Sequence, residues 1–199
     1  MIAVRQVERP YTADDLATMP DDGRRYEIIG GELIVSPSPT TRHQRVSFRL
    51  SRLLDDYLER TAAGEAFAAP LDVLLGNHDI LQPDIVVVLK ENAHRITESG
   101  VNGPPDLVVE IVSPSTVRTD RIRKSATYAT FGVPEYWIVD PESESIVVQT
   151  LVDGQFQPIG GDDGLVRSAH ISGLVIDPSS IFTVPDWLAN RGEKSSTDL

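Results

Sequence analysis

The sequence predicts one α/β domain: a mixed central β-sheet flanked by helices, with an N-terminal β-hairpin and C-terminal β additions. Three observations predict it. Pro83–Leu89 and Asp106–Val112 are near-continuous Val, Ile and Leu, the pattern of central strands covered on both faces. Val46, Leu50, Leu53, Leu54, Tyr57 and Leu58 recur at steps of three and four, which makes an apolar stripe on a long helix. Two β-rich pairs are joined by Gly30-Gly31 and Asp153-Gly154, the residue types that tolerate the positive φ of a tight hairpin turn. A chain of 199 residues, 40% hydrophobic and 24% charged, suits a single core. The expected boundaries are an N-terminal extension over 1–10, the domain over 11–189 and a polar tail, expected to be disordered, over 190–199.

Tyr11–Leu16 reads as a short helix, with Thr12 as N-cap and Asp14 and Asp15 in its first turn. Arg25–Ile29 and Glu32–Val35 form the first hairpin. With a two-residue loop, Glu27, Ile29, Glu32 and Ile34 share one face and Tyr26, Ile28, Leu33 and Val35 the other. The long helix runs from about Thr41 to Ala63, and Gly64 fits its C-cap. Ala69–Leu75, Pro83–Leu89 and Asp106–Val112 are strands, and Gly100–Pro105 is a turn-rich connection. A second helix spans about Arg118 to Phe131, stopped by Gly132 and Pro134. Glu135–Asp140 is a further strand, Ser145–Leu151 and Phe156–Ile159 a second hairpin, and Leu165–Ile176 a last β segment.

No cysteine is present, which excludes a disulfide scaffold, a thiol nucleophile and Cys-ligated zinc or iron–sulfur sites. The apolar runs are too short to span a bilayer, and the N-terminus lacks an apolar signal core, so a cytoplasmic protein with no membrane partner is expected. The formal net charge of −12 argues against indiscriminate binding to polyanions. Yet eight of the 18 basic residues fall in two short segments: Arg42, Arg45, Arg49 and Arg52, and then Arg118, Arg121, Arg123 and Lys124. Each cluster is either a solvated helix face with a few ion pairs or a local surface for phosphate.

Two carboxylates stand out against apolar surroundings. Asp84 heads one central strand and Glu110 sits inside the next, where an unpaired ionised carboxylate costs several kcal/mol. Either Asp84 caps a turn and Glu110 pairs with an arginine, or the two hold a divalent cation. Carboxylates from adjacent strands, completed by a carbonyl and waters, suit Mg²⁺. Lys124 lies in the first turns of the following helix. It is either a surface lysine or one that points back over the carboxylates, where it could stabilise charge on a phosphate oxygen. Tyr128, Tyr136 and Trp137 read as core aromatics, and His78, His94 and His170 show no metal-ligand spacing.

The succession Tyr26-Glu27-Ile-Ile-Gly-Gly-Glu32-Leu33, His43-Gln44, Gln82-Pro83-Asp84, Pro105–Ser115, Asp120…Lys124…Tyr128 and Gly132–Asp140 resembles the Uma-two family of the restriction-endonuclease-like PD-(D/E)XK superfamily. The resemblance covers about residues 11 to 185, and its most specific block is Pro105–Asp140. It implies a restriction-endonuclease-like fold with a metal at the split between two central strands, held by Asp84 and Glu110. The superfamily places its lysine two residues after the glutamate, a position occupied here by Val112. In the Uma-two family the following helix supplies that lysine, which corresponds to Lys124. The resemblance further implies Glu32 as a metal or water ligand and His43 as a phosphate contact or proton carrier, with Glu27 a weaker candidate.

The function so implied is Mg²⁺-dependent (or Mn²⁺-dependent) hydrolysis of phosphodiester bonds in nucleic acid, DNA foremost. Arg42, Arg45, Arg49, Arg118, Arg121 and Arg123 would steer the backbone without reading sequence. A homodimer is the expected assembly, as for nucleases that cut both strands of a symmetric duplex. The alternative is a non-catalytic module that keeps the nuclease fold for oligomerisation or partner binding, a reading the acidic net charge favours. A glycosidase built on the same carboxylates is disfavoured: aromatics are 6% of the chain, and none cluster near Asp84 or Glu110.

Overall fold

The computed structural model of the chain describes residues 9–112, 118–160 and 163–189, for 118–120 the backbone only. The tail expected over 190–199 and most of the N-terminal extension lie outside the described residues. The architecture is mixed α/β, as expected, but among the described residues the strands form two six-stranded sheets and one two-stranded ribbon.

Local chemistry accounts for the first half of the chain. α1 (Ala13–Leu16) opens where the Thr12 amide and hydroxyl both donate to Asp15 at 2.9 Å. β1 (Arg25–Ile29) and β2 (Glu32–Ser36) form the expected hairpin, with Gly30 and Gly31 at φ 58° and 78° and Ile29 opposite Glu32. α2 (Thr41–Thr61) begins where the Thr40 hydroxyl accepts the His43 amide at 3.2 Å. The helix ends on Ala62, at φ 51°, rather than on Gly64. Gly64 instead starts β3 (Gly64–Ala68), where the backbone of Val88 and Leu89 lies too close to admit a Cβ.

The middle of the chain supplies both sheets. β4 (Asp72–Gly76), β5 (Asp79–Leu81) and β6 (Ile85–Leu89) are followed by a 3₁₀ turn over Lys90–Arg95. β7 (Ile96–Thr97) and β8 (Gly100–Asn102) come next, so part of the expected Gly100–Pro105 connection is a strand, paired in parallel with β4. β9 (Leu107–Ile111), α3 (Arg118–Thr130) and β10 (Glu135–Asp140) make a parallel crossover unit. β11 (Ser145–Val152) and β12 (Gln155–Ile159) are the second hairpin. The segment expected as one β stretch over Leu165–Ile176 contains only the two-residue strands β13 (Val166–Arg167) and β14 (Val175–Ile176), and α4 (Ser179–Phe182) and α5 (Asp186–Ala189) follow.

The first sheet has the order β2-β1-β5-β4-β8-β7 and the second β12-β11-β10-β9-β6-β3. Side-chain alternation in the second sheet divides the core in two. Ile85, Val87, Leu107 and Val109 pack with Val46, Leu50, Leu54 and Leu58 of α2. Val86, Val88, Val108 and Tyr136 face the other way, toward Val73 and Leu81 of the first sheet and Tyr128 of α3. Among the described residues, no helix is long and apolar enough to cross a membrane.

Candidate active site

The register of the central strands brings the two carboxylates together. Ile85 pairs with Val109 across the antiparallel β6–β9 ladder, so one further step sets Asp84 beside Glu110. Glu110 shares the strand face of Val108, the face turned toward α3. Lys124 and Tyr128, four residues apart on α3, occupy one side of that helix and both reach Glu110. The Lys124 ammonium donates to its two oxygens at 3.1 and 3.2 Å, and the Tyr128 hydroxyl donates to Oε1 at 2.7 Å.

Asp84 is buried, with 2% of its surface exposed, and both its oxygens are hydrogen-bonded. Arg25 donates to Oδ1 at 2.8 Å; His43 Nε2 and the Ile111 amide reach Oδ2 at 3.2 and 2.7 Å. Burial alone would raise the Asp84 pKa, but the bond to His43, the Arg25 charge and the Ile111 amide together hold it down at about 2. Glu110 goes the other way: burial and the nearby Asp84 and Glu27 carboxylates raise its pKa against the pull of Lys124. For Lys124, burial opposes the charged form, yet Glu110 and Glu27 outweigh it and keep the ammonium protonated. Burial also drives the Tyr128 hydroxyl well above its ordinary value, so it acts as a donor.

Of the expected site residues, Asp84, Glu110, Lys124 and His43 are joined in one network. Glu32 lies outside that network. Its exposed carboxylate pairs with Arg123 at 2.9 Å, and the hairpin carboxylate that meets Lys124 is Glu27, at 2.7 Å. The physical reason is the hairpin register: Glu27 and Glu32 share a face, but Glu32 sits beside the turn and Glu27 one same-face position further into the sheet. Glu27 is wholly buried; its Oε1 also accepts the Gln82 amide at 2.9 Å, while Oε2 has no partner among the described residues.

Arg25 is the residue that sequence reasoning missed. Arg25 and Glu27 stand two apart on β1, so their side chains leave on the same face. That charge pair in a strand otherwise made of Tyr and Ile was the available signal. Tyr128 was expected in the core, and it is there, but with its hydroxyl turned into the site.

The arginines divide. Arg49 braces the C-terminal segment by donating to the Ile181 carbonyl at 2.9 Å and to that of Thr183. Arg123 holds Glu32 and the Ile29 carbonyl, and Arg121 lies in the electrostatic neighbourhood of Asp140. Arg42 and Arg45 line a cleft with the C-terminal segment. The side chain of Arg118 lies outside the described residues.

The donors available to a metal are hard oxygens: Asp84, Glu110 and the orphaned Glu27 Oε2 close by. Among the described residues no three His, Cys, Asp or Glu side chains are spaced to enclose an ion. A pair of carboxylates with the remaining positions left to water is nevertheless how Mg²⁺ is commonly held, so the residues fit such a cation.

An uncharacterized protein of Synechocystis is 27% identical over 116 residues, 57% of this chain, and the match spans 65% of that relative's length. The crystal structure of a protein described as a "putative nuclease" from Anabaena variabilis superposes with a TM-score of 0.72, covering 87% of this chain and 98% of that one at 22% identity, a likeness of fold. Residues 13–179 match the family model described as "Putative restriction endonuclease", and the chain therefore belongs to the Uma2 family.

Proposed function

We propose that this protein is a metal-dependent endonuclease acting on phosphodiester bonds of nucleic acid, with Asp84, Glu110, Lys124 and His43 as its working groups. The observation that carries the reading is the convergence of Asp84 and Glu110 on adjacent strands, with the Lys124 ammonium on Glu110. Asp84 and Glu110 would hold Mg²⁺ or Mn²⁺, which when bound polarises the phosphate and lowers the pKa of a water. Lys124, kept protonated between two carboxylates, presents a fixed positive charge to a phosphate oxygen on which negative charge grows. Tyr128 fixes the Glu110 carboxylate, and Arg25 does the same for Asp84. His43 is anchored to Asp84 through Nε2, and among the described residues its buried Nδ1 has no protein partner.

The test is a cleavage assay on a panel of DNA and RNA with Mg²⁺ and Mn²⁺. Asp84→Ala and Glu110→Ala should abolish cleavage while circular dichroism stays native, and undiminished cleavage by either would overturn the mechanism. Lys124→Ala should cost about 10²-fold, as does loss of one preorganised charge-stabilising donor.

One observation favours a second reading, a non-cleaving module. Each carboxylate of the pair is already neutralised from within the chain, Asp84 by Arg25 and Glu110 by Lys124. Thermal-shift titration separates the two readings. Stabilisation by Mn²⁺ that disappears in Asp84→Ala supports the metal site, and its absence in the wild type supports the module.

A further inference from the structure

α2 does more than bring His43 to Asp84. Arg42 and Arg52 lie exposed on its outer side, away from the buried stripe of Val46, Leu50 and Leu54, with Arg45 half-buried between them, and the three span about 15 Å of helix. Among the described residues none of the three has a carboxylate within ion-pairing distance, whereas Arg9, Arg24, Arg25, Arg123 and Arg167 each do. In a chain with a net charge of −12, three unpaired guanidiniums on one helix are a local excess of positive charge. The two most exposed of the large apolar side chains are both aromatic: Phe48 on α2, 72% exposed, and Trp187 on α5, 76% exposed.

Two clefts run between α2 and the C-terminal segment that Arg49 braces. One, of about 510 Å³, joins Phe48 and Arg52 to the hydroxyl-bearing Ser179, Ser180 and Thr183. The other, also about 510 Å³, joins Arg42 and Arg45 to Val184 and Leu188 and adjoins the end of α2 that carries His43. Guanidiniums and hydroxyls suit phosphate oxygens. An exposed aromatic face between them suits a base with no pairing partner.

We propose that the outer side of α2 and the segment 179–189 form a binding track for an unpaired nucleic-acid strand, with Arg42, Arg45 and Arg52 on its phosphates and Phe48 stacked on a base. The inference rests on the nuclease reading and sharpens it: the substrate is single-stranded, or duplex with a frayed or flapped strand. Charge complementarity selects a polyanion over a protein partner. The aromatic, which would have nothing to stack on along a closed duplex, selects the unpaired strand.

Fluorescence anisotropy with the full chain carrying Asp84→Ala, so that binding is read without turnover, tests the track with labelled oligodeoxynucleotides in single-stranded, blunt duplex and 3′- or 5′-flapped form. The single-stranded and flapped forms should bind more tightly than the blunt duplex. Adding Phe48→Ala should weaken them about tenfold and leave the duplex unchanged. Adding Arg42→Ala or Arg52→Ala should weaken all forms and flatten the dependence on salt. Phe48→Ala with unchanged single-strand affinity overturns the track, as does a preference for blunt duplex, or a Phe48→Ala effect confined to the oligomeric state in sedimentation, which would make Phe48 a contact between copies. The two readings fail separately. Cleavage lost in Asp84→Ala together with an inert Phe48→Ala leaves the nuclease without this track. Phe48-dependent binding without any Asp84-dependent cleavage leaves a strand-binding protein without nuclease activity.

Discussion

Lys124→Met tests how the site is held together. The substitution keeps an unbranched apolar stem in place of the lysine chain and removes the charge. Lys124 is 7% exposed and lies 2.7 Å from the wholly buried Glu27 and 3.1 Å from Glu110. Its loss strands two carboxylates, one wholly buried and one largely so. Breaking a buried pair by deleting one member costs about 3–5 kcal/mol. In a domain of this size each kcal/mol moves the melting temperature by about 2–4 °C, so thermal unfolding in chelator should fall by about 6–20 °C. The double variant Lys124→Met/Glu27→Gln removes one of the stranded charges. It should recover part of the loss, with a coupling of about 1–3 kcal/mol in the double-mutant cycle. A Lys124→Met protein that melts within about 1 °C of wild type, or a cycle in which the two substitutions simply add, would refute the claim that this lysine is the counter-ion of a buried carboxylate pair.

Two further perturbations reach other parts of the fold. Asp106 accepts the Leu89 amide at 2.7 Å and faces His170 at 3.2 Å; the bond to Asp106 raises the His170 pKa above 6.5. A raised histidine pKa means stability that is complete below the unfolded value and is lost as pH rises through the folded one. The melting-temperature advantage of wild type over His170→Ala should therefore be largest below about pH 6 and shrink above about pH 7, and a constant difference would contradict the pairing. Arg49→Ala removes the guanidinium that holds the Ile181 and Thr183 carbonyls. It should cost about 1–3 kcal/mol in urea unfolding and speed hydrogen exchange over 179–189 more than in β6 and β9.

The legible part of this protein was the part governed by local periodicity. Continuous Val and Ile around Asp84 and Glu110 marked central strands, and the observed register sets those two carboxylates side by side. The Gly-Gly turn fixed the hairpin faces, with Glu27 and Glu32 on the same one. Which of the two reaches the interior depends on what the hairpin packs against, and periodicity carries no such information. The same gap hid Arg25, whose partner Asp84 is 59 residues away. It also hid β8, a three-residue strand formed only because β4 offers a parallel edge and because Gly100, at φ 147°, leaves room for the Asp72 carbonyl. Gly64 looked like a helix cap because glycine favours both a left-handed terminus and a close backbone approach, and the second use prevailed.

The local charge balance explains how so acidic a protein could still take a phosphodiester. Asp84, Glu27 and Glu110 contribute three negative charges in their ionised forms; Arg25 and Lys124 return two, and the balance is −1. On the proposed reading, a site with that balance would attract a divalent cation, and with the cation in place its sign would reverse to +1, matched to the single charge of a phosphodiester. Asp55, Asp56, Glu142 and Glu144 stand exposed to solvent, where a screening length of about 8 Å confines their field. A global charge of −12 therefore says little about the substrate, and the sign that matters is set by five buried or half-buried side chains from β1, the head of β6, β9 and α3.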